Sequence, residues 1–244
     1  AAGVVESLRT VKSPSELEKL RISASYVDAG MRAGMDEIAV GKTENDIVSE
    51  MMGKAIKAGS EYVGMEPLMA SGPRCGIPHG TWRRRVIEAG DPVFLEMAAA
   101  HDRYHASLMR SAWMGQPNDI ARRMMDCILE GLQAALDALK PGNTCAEVHD
   151  ACQAVIDKYG YTENFKKRTG YSVGISFAPD WGEGNVLSLY TGIDRELEPG
   201  MAFHIPPALR IYGEFTVGVS ETAIVTESGC ETLSNFPRDL YIID

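Results

Sequence analysis

Glu96 is the residue whose surroundings most demand a chemical explanation. It stands in 91-DPVFLEMAAAHDRYHASLMRS-111, next to Phe94, Leu95, Met97 and three alanines. Burying a carboxylate unpaired in such company costs several kcal/mol or drives it to take up a proton. Such a group is either a reactive acid or nucleophile, or one half of an ion pair. The structural alternative pairs Glu96 with Arg110. Two apolar-alternating runs, Asp91 to Ala98 and Tyr104 to Arg110, flank a polar link at His101, Asp102 and Arg103. That is the pattern of a β-hairpin, and it would carry Glu96 on its first strand.

The elements around the hairpin follow from local signals. Ser13-Pro14-Ser15-Glu16 opens a helix with a capping box and proline in the first turn. A second helix opens at Thr43 and runs to Gly59. Short extended pieces are expected over Tyr62–Met69, then a loop, 71-SGPRCGIPHG-80. A long helix from about Asp119 to Lys140 stops at Pro141-Gly142, and Thr144 with Glu147 caps another that ends at Gly160. The remainder reads as loop and strand. Helices in two pairs with strands between and after them give an α+β layout, with antiparallel sheet expected from the consecutive strands.

Composition narrows the function classes. A length of 244 residues fits one large domain or two small ones, and a formal net charge of −10 argues against nucleic-acid or anionic-membrane surfaces. Arg83-Arg84-Arg85 is the local exception, read as a solvated edge with an anion site as the alternative. Five cysteines without a CxxC pair signal neither a disulfide framework nor a zinc knuckle, so a reducing cytoplasm is expected. No apolar run is long enough to span a bilayer, and the N-terminus lacks the shape of a signal peptide.

The order of motifs resembles the creatinase/aminopeptidase P/prolidase superfamily (peptidase family M24), the pita-bread fold. The resemblance rests on R-x-V-K-S-P-x-E-L at Arg9 to Leu17, P-H-G at Pro78 to Gly80 and G-D-P-V at Gly90 to Val93. It continues with L-K-P-G at Leu139 to Gly142, P-G-M at Pro199 to Met201 and E-T-A-I-V-T-E-S-G at Glu221 to Gly229. It implies two pseudo-symmetric halves around a curved antiparallel sheet with flanking helices, spanning residues 1–244 as one catalytic domain. Members often carry a further N-terminal domain, expected to be missing here, and a homodimer is the expected assembly.

The departures from the family pattern bear on function. Its peptidases hold two metal ions with two Asp, one His and two Glu. Here the matching positions carry Glu96, Ser107, Tyr171, Pro206 and Ser220, the last beside Glu221. A proline side chain ligates nothing and a serine hydroxyl is a poor ligand for a hard cation. The resemblance therefore implies no metal and no other cofactor. It leaves a metal-free enzyme, as creatinase is, or an inactive binding module of the same fold.

His79 matches the family's active-site histidine, the proton shuttle in creatinase. The GYSVGI…PDWGEG and FHIPP…GVSET pattern looks most like the ectoine hydrolase branch, which opens a cyclic amidine without a metal. On that resemblance Glu96 is the covalent nucleophile and His79 moves protons, while Glu183 or Glu221 holds the amidine N–H groups. His105, Tyr171, Trp181 and His204 line the pocket. The substrate class is a small cyclic amidine. The other activities the superfamily offers are creatinase-like amidinohydrolysis and an Xaa-Pro peptidase that rebuilds a metal site. Structural alternatives remain for each group. His79 can bond loop amides, His105 and His204 can be satisfied core groups, and Trp181 can be packing alone. Glu183 can be a turn residue and Glu221 can pair with Arg210, while His101 and His149 are expected to be solvated.

Overall fold

A computed structural model of the chain describes residues 3–165 and 167–244. Among the described residues five α-helices form: α1 (Val4–Thr10), α2 (Pro14–Glu37), α3 (Glu44–Ala58), α4 (Asp119–Ala138) and α5 (Cys145–Tyr159). The capping boxes read from the sequence are present at Ser13/Glu16 and Thr144/Glu147, and Thr43/Asp46 supplies a third. Helix α1 is an addition to the sequence reading, and it buries none of its residues. Close packing of α2 on α3 needs Gly34, where an added Cβ would lie 2.2 Å from the Met51 side chain. Among the described residues, no helix is long and apolar enough to cross a membrane.

The strands are β1 (Leu68–Ser71), β2 (Pro92–His101), β3 (Tyr104–Met114), β4 (Gly170–Ser172), β5 (Ser188–Leu189), β6 (Ala202–Ile205), β7 (Ala208–Ile211), β8 (Phe215–Gly218), β9 (Glu221–Val225), β10 (Cys230–Thr232) and β11 (Leu240–Ile243). They make a four-stranded sheet, β1-β2-β3-β11, a five-stranded sheet, β10-β9-β6-β4-β5, and the ribbon β7-β8. Helices α2 and α3 cover the first sheet through a core that includes Met31, Met51, Leu95 and Met97. Helices α4 and α5 cover the second sheet and the ribbon through a core that includes Ile128, Cys152, Phe203 and Val217. Two helix pairs over two sheets are the expected halves. One expectation is corrected: β11 lies parallel to β3, so the first sheet is mixed.

The predicted hairpin forms as β2 and β3, with Asp102 and Arg103 both at positive φ in the tight turn. Strand β3 meets the second half along a seam built from hydroxyls. Ser107 N–H donates to Thr222 Oγ1 (3.0 Å), which donates back to Ser107 O (2.9 Å). Met109 N–H donates to Ser220 Oγ (2.7 Å), and Ser111 Oγ donates to Gly218 O (3.0 Å). Arg110 completes the seam. Fully buried, it donates to Ser220 O (2.7 Å), Phe236 O (2.7 Å), Pro237 O (2.9 Å) and Glu221 Oε1 (2.9 Å).

Removing one partner of a buried ion pair leaves an uncompensated charge. Arg110→Met is expected to destabilise the protein by about 3–5 kcal/mol. Adding Glu221→Leu should recover part of that loss in urea unfolding. A single-variant loss well below 1 kcal/mol would mean that the seam does not rely on the pair.

Candidate functional site

A cavity of about 330 Å³ opens between the two halves. Strand β2 brings Phe94 and Glu96 to it, and β3 brings Met109, which faces Glu96 in the hairpin register. The second half contributes Tyr171 from β4, Arg210 from β7 and Thr216 from β8. Loops supply His79, Lys167, Asp180 and Trp181. His79 stands at φ 54, a left-handed backbone uncommon outside glycine, in the loop between β1 and β2. That loop is fixed from below by Glu44, whose carboxylate accepts bonds from Ser71 N–H (2.9 Å), Arg74 (2.7 Å) and Arg83 N–H (2.5 Å).

Glu96 is 8% exposed and has no ion-pair partner among the described residues. The other buried carboxylates do: Glu44 with Arg74, Asp91 with Arg85, Glu183 with Arg9 and Lys12, and Glu221 with Arg110 and Arg238. The pairing of Glu96 with Arg110 does not occur. Arg110 lies opposite Leu95, one residue out of phase, and therefore on the other face of the hairpin. Burial pushes the Glu96 carboxyl up to about 7, against the pull of Lys167 and Arg210 across the cavity. Burial likewise holds the Lys167 ammonium below its ordinary range.

Behind Glu96 runs a neutral hydrogen-bonded column. Trp181 Nε1–H donates to Tyr171 Oη (2.8 Å), Tyr171 Oη bonds His204 Nδ1 (2.8 Å), and His204 Nε2 bonds Ser220 Oγ (2.7 Å). Burial, reinforced by the cations Lys167 and Arg110, drives His204 down to about 3, so its imidazole is neutral. Because the Tyr171 oxygen already accepts the indole hydrogen, we assign its own hydrogen to His204 Nδ1, with Nε2–H donating to Ser220. Burial also raises the Tyr171 phenol, which keeps it protonated.

The structure thus brings Glu96, His79, Tyr171 and Trp181 to one cavity and sets His204 one bond behind them. The remaining candidates lie elsewhere. Glu183 is 1% exposed and saturated, accepting from Arg9 (2.9 Å), Lys12 (2.9 Å) and Ser172 Oγ (3.1 Å). Glu221 belongs to the Arg110 seam, with no bond to Arg210. His105 bonds Gly64 N–H through Nε2 (3.1 Å) and Arg103 O through Nδ1 (2.9 Å), and burial lowers it to about 4. His149, expected at a solvated face, is buried against Thr169 Oγ1 (2.8 Å). Sequence reading passed over Lys167 and Arg210 as cavity residues. The basic step just before the GYS strand was the available signal for Lys167.

Comparison with known proteins places this geometry in context. The model for metallopeptidase family M24 matches residues 18–227. An ectoine hydrolase of Halomonas elongata is 36% identical over 252 residues, covering 99% of this chain and 62% of that protein. An Xaa-Pro dipeptidase of Pyrococcus furiosus is 29% identical over 97% of this chain and 66% of its own length. Among solved structures, an Xaa-Pro dipeptidase from Bacillus anthracis superposes with a TM-score of 0.91 at 30% identity. That match covers all of this chain and 67% of the dipeptidase. The chain therefore spans about three fifths of the hydrolase it resembles.

The raised carboxyl of Glu96 has a consequence for stability. A group whose folded-state pKa lies above its unfolded value supports the fold at low pH and loses that support as pH rises through the folded value. Glu96→Gln should therefore match the parent at and below about pH 4.5, exceed its melting temperature by a growing margin as pH rises toward about 7, and keep a constant margin above that. Thermal scans of both proteins across that range check this. A gap independent of pH would mean that Glu96 is not desolvated.

Proposed function

Because the chain belongs to metallopeptidase family M24, we propose that its cavity opens a cyclic amidine of the ectoine type by C–N bond hydrolysis, with Glu96 as nucleophile. The observation that carries this reading is the isolation of Glu96, a buried cavity carboxylate free of the cationic partners that hold every other buried carboxylate described. Similarity to the ectoine hydrolase of Halomonas elongata supports the substrate class.

The family name implies a metal, and the donors here do not fit one. Where the family's ligands are expected, Tyr171 Oη and Ser220 Oγ are committed to His204. Pro206 offers only its carbonyl, which accepts from the Lys167 ammonium at 2.7 Å, so a cation already stands there. Among the described residues no group of three or more His, Cys, Asp or Glu could hold a metal ion. No step below is routed through one.

In the proposed reaction a Glu96 oxygen attacks the amidinium carbon, and the C=N π pair moves to nitrogen. Collapse of the adduct breaks one ring C–N bond, the pair leaving with that nitrogen. His79, kept neutral by burial and by Lys167 and Arg210, carries a proton from the retained N–H to the departing nitrogen. Water then adds to the same carbon and expels the Glu96 carboxylate. Its hydrogens end on the amide nitrogen and the freed amine. A covalent intermediate divides one hard step into two. Trp181 and Tyr171 supply an aromatic wall for the cationic ring, an interaction of about 0.5–2 kcal/mol.

Brief mixing of EDTA-treated full-length protein with ectoine, followed by peptide mass spectrometry, tests this reading. An adduct on the Glu96 peptide with ring-opened product is expected, and Glu96→Gln should lower kcat at least about a thousandfold. Turnover without adduct would favour water activated by His79, as in the creatinase-like reading. Turnover that requires added manganese or cobalt would sink the proposal in favour of a metallopeptidase.

A further inference from the structure

Two cations in the cavity are unused by the chemistry above. Lys167 and Arg210 both line it, yet among the described residues neither forms an ion pair. Among the described residues Lys167 Nζ bonds the Pro206 carbonyl at 2.7 Å. The Arg210 backbone is fixed by Asn164 Nδ2, which donates to its carbonyl at 3.1 Å, and its Nε makes a long 3.4 Å contact to Thr216 Oγ1. By contrast Arg9, Lys12, Arg74, Arg85 and Arg110 each meet a carboxylate directly. Glu96 feels both cations electrostatically without touching either. The cavity thus has an anionic pole and a cationic pole with space between them.

We infer that Lys167 and Arg210 form a carboxylate subsite, so that the cavity selects a zwitterion whose amidinium meets Glu96 while its carboxylate meets the cation pair. This rests on the ring-opening reading and deepens it: it assigns two residues to the carboxylate that an ectoine-type ring carries. A guanidinium with free N–H groups matches a carboxylate in bidentate fashion, and an ammonium beside it adds a point charge. The protein's overall charge of −10 gives no long-range attraction for an anion, so recognition must come from these local groups. A zwitterion also suits both poles without leaving either cation or carboxylate unpaired in a partly dry site.

The test compares ectoine with its carboxamide, in which the negative charge is removed and the ring kept, on full-length wild-type protein, Arg210→Met, Arg210→Lys and Lys167→Met. Steady-state rates are paired with calorimetric binding to Glu96→Gln. Wild type should prefer ectoine by about ten- to hundredfold, expressed mainly in KM and in Kd. In Arg210→Met and Lys167→Met that preference should fall toward one, with Arg210→Lys between. Equal handling of the two compounds by wild type would overturn the inference. So would equal losses for both compounds in the cation variants with the acid limb of the pH profile moved upward, since the cations would then act only by keeping Glu96 ionised. Charge-selective binding without turnover would keep the subsite and discard the ring-opening reading. Absence of binding by either compound would discard both.

Discussion

The site depends on how the β2–β3 hairpin is locked against the second half of the molecule. The two sheets do not continue one another at that seam by an unbroken backbone ladder. Ser111, Ser220 and Thr222 stand in for it with side-chain hydroxyls, and Arg110 directs its donors to carbonyls from two segments and to Glu221. Burying such a pair is expensive, and a well-packed apolar replacement is often no less stable. What the pair supplies here is registration. Arg110 reaches Ser220 O only when β3 and β9 sit at one offset, and that offset puts Met109 beside the chain that carries Ser220. Because β3 is paired with β2, the same lock fixes Glu96 relative to Tyr171.

That placement explains how a cavity survives where the family's peptidases need ligands. The column from Trp181 through Tyr171 and His204 to Ser220 is uncharged and fully bonded, so it fills space without neutralising Glu96. A charged imidazole at His204 would have offered Glu96 a counter-ion. Burial, together with Lys167 and Arg110, prevents it. The cost of the isolated carboxylate is carried by the stability of the surrounding fold, as strained or desolvated groups at working sites commonly are. The left-handed backbone at His79 belongs to the same class, and Glu44 restrains it through bonds to both ends of its loop.

Much of the fold was legible because its signals are local. Capping boxes, the Lys-Pro-Gly stop and the alternation around Glu96 each act within a few residues. The parallel pairing of β11 with β3 was not legible, since it joins segments more than a hundred residues apart and no local pattern encodes direction. Glu183 and Glu221 misled for a related reason. Each sits in a glycine- or hydroxyl-flanked stretch that reads as open, yet Glu183 is claimed by Arg9 and Lys12 from the far end of the chain, and Glu221 by Arg110. The sequence pattern offers Glu221 as a partner for Arg210 and leaves Lys167 among the ordinarily solvated bases, and only the tertiary structure turns both toward the cavity.

Residue type alone therefore could not separate the structural carboxylates from the one proposed to react. Glu44, Glu183, Glu221 and Glu96 are all glutamates buried to a similar degree. The first three receive a cation at contact distance, which neutralises the charge that Glu96 leaves uncompensated. Glu96 receives its cations only across the cavity, close enough to favour ionisation and too far to be satisfied by it. A ligand that brings positive charge to Glu96 supplies the missing partner and presents the carbon that Glu96 would attack. Glu183 then acts at one remove. By tying the segment around Gly174 and Trp181 to Arg9 and Lys12, it holds the aromatic wall that such a ligand would meet.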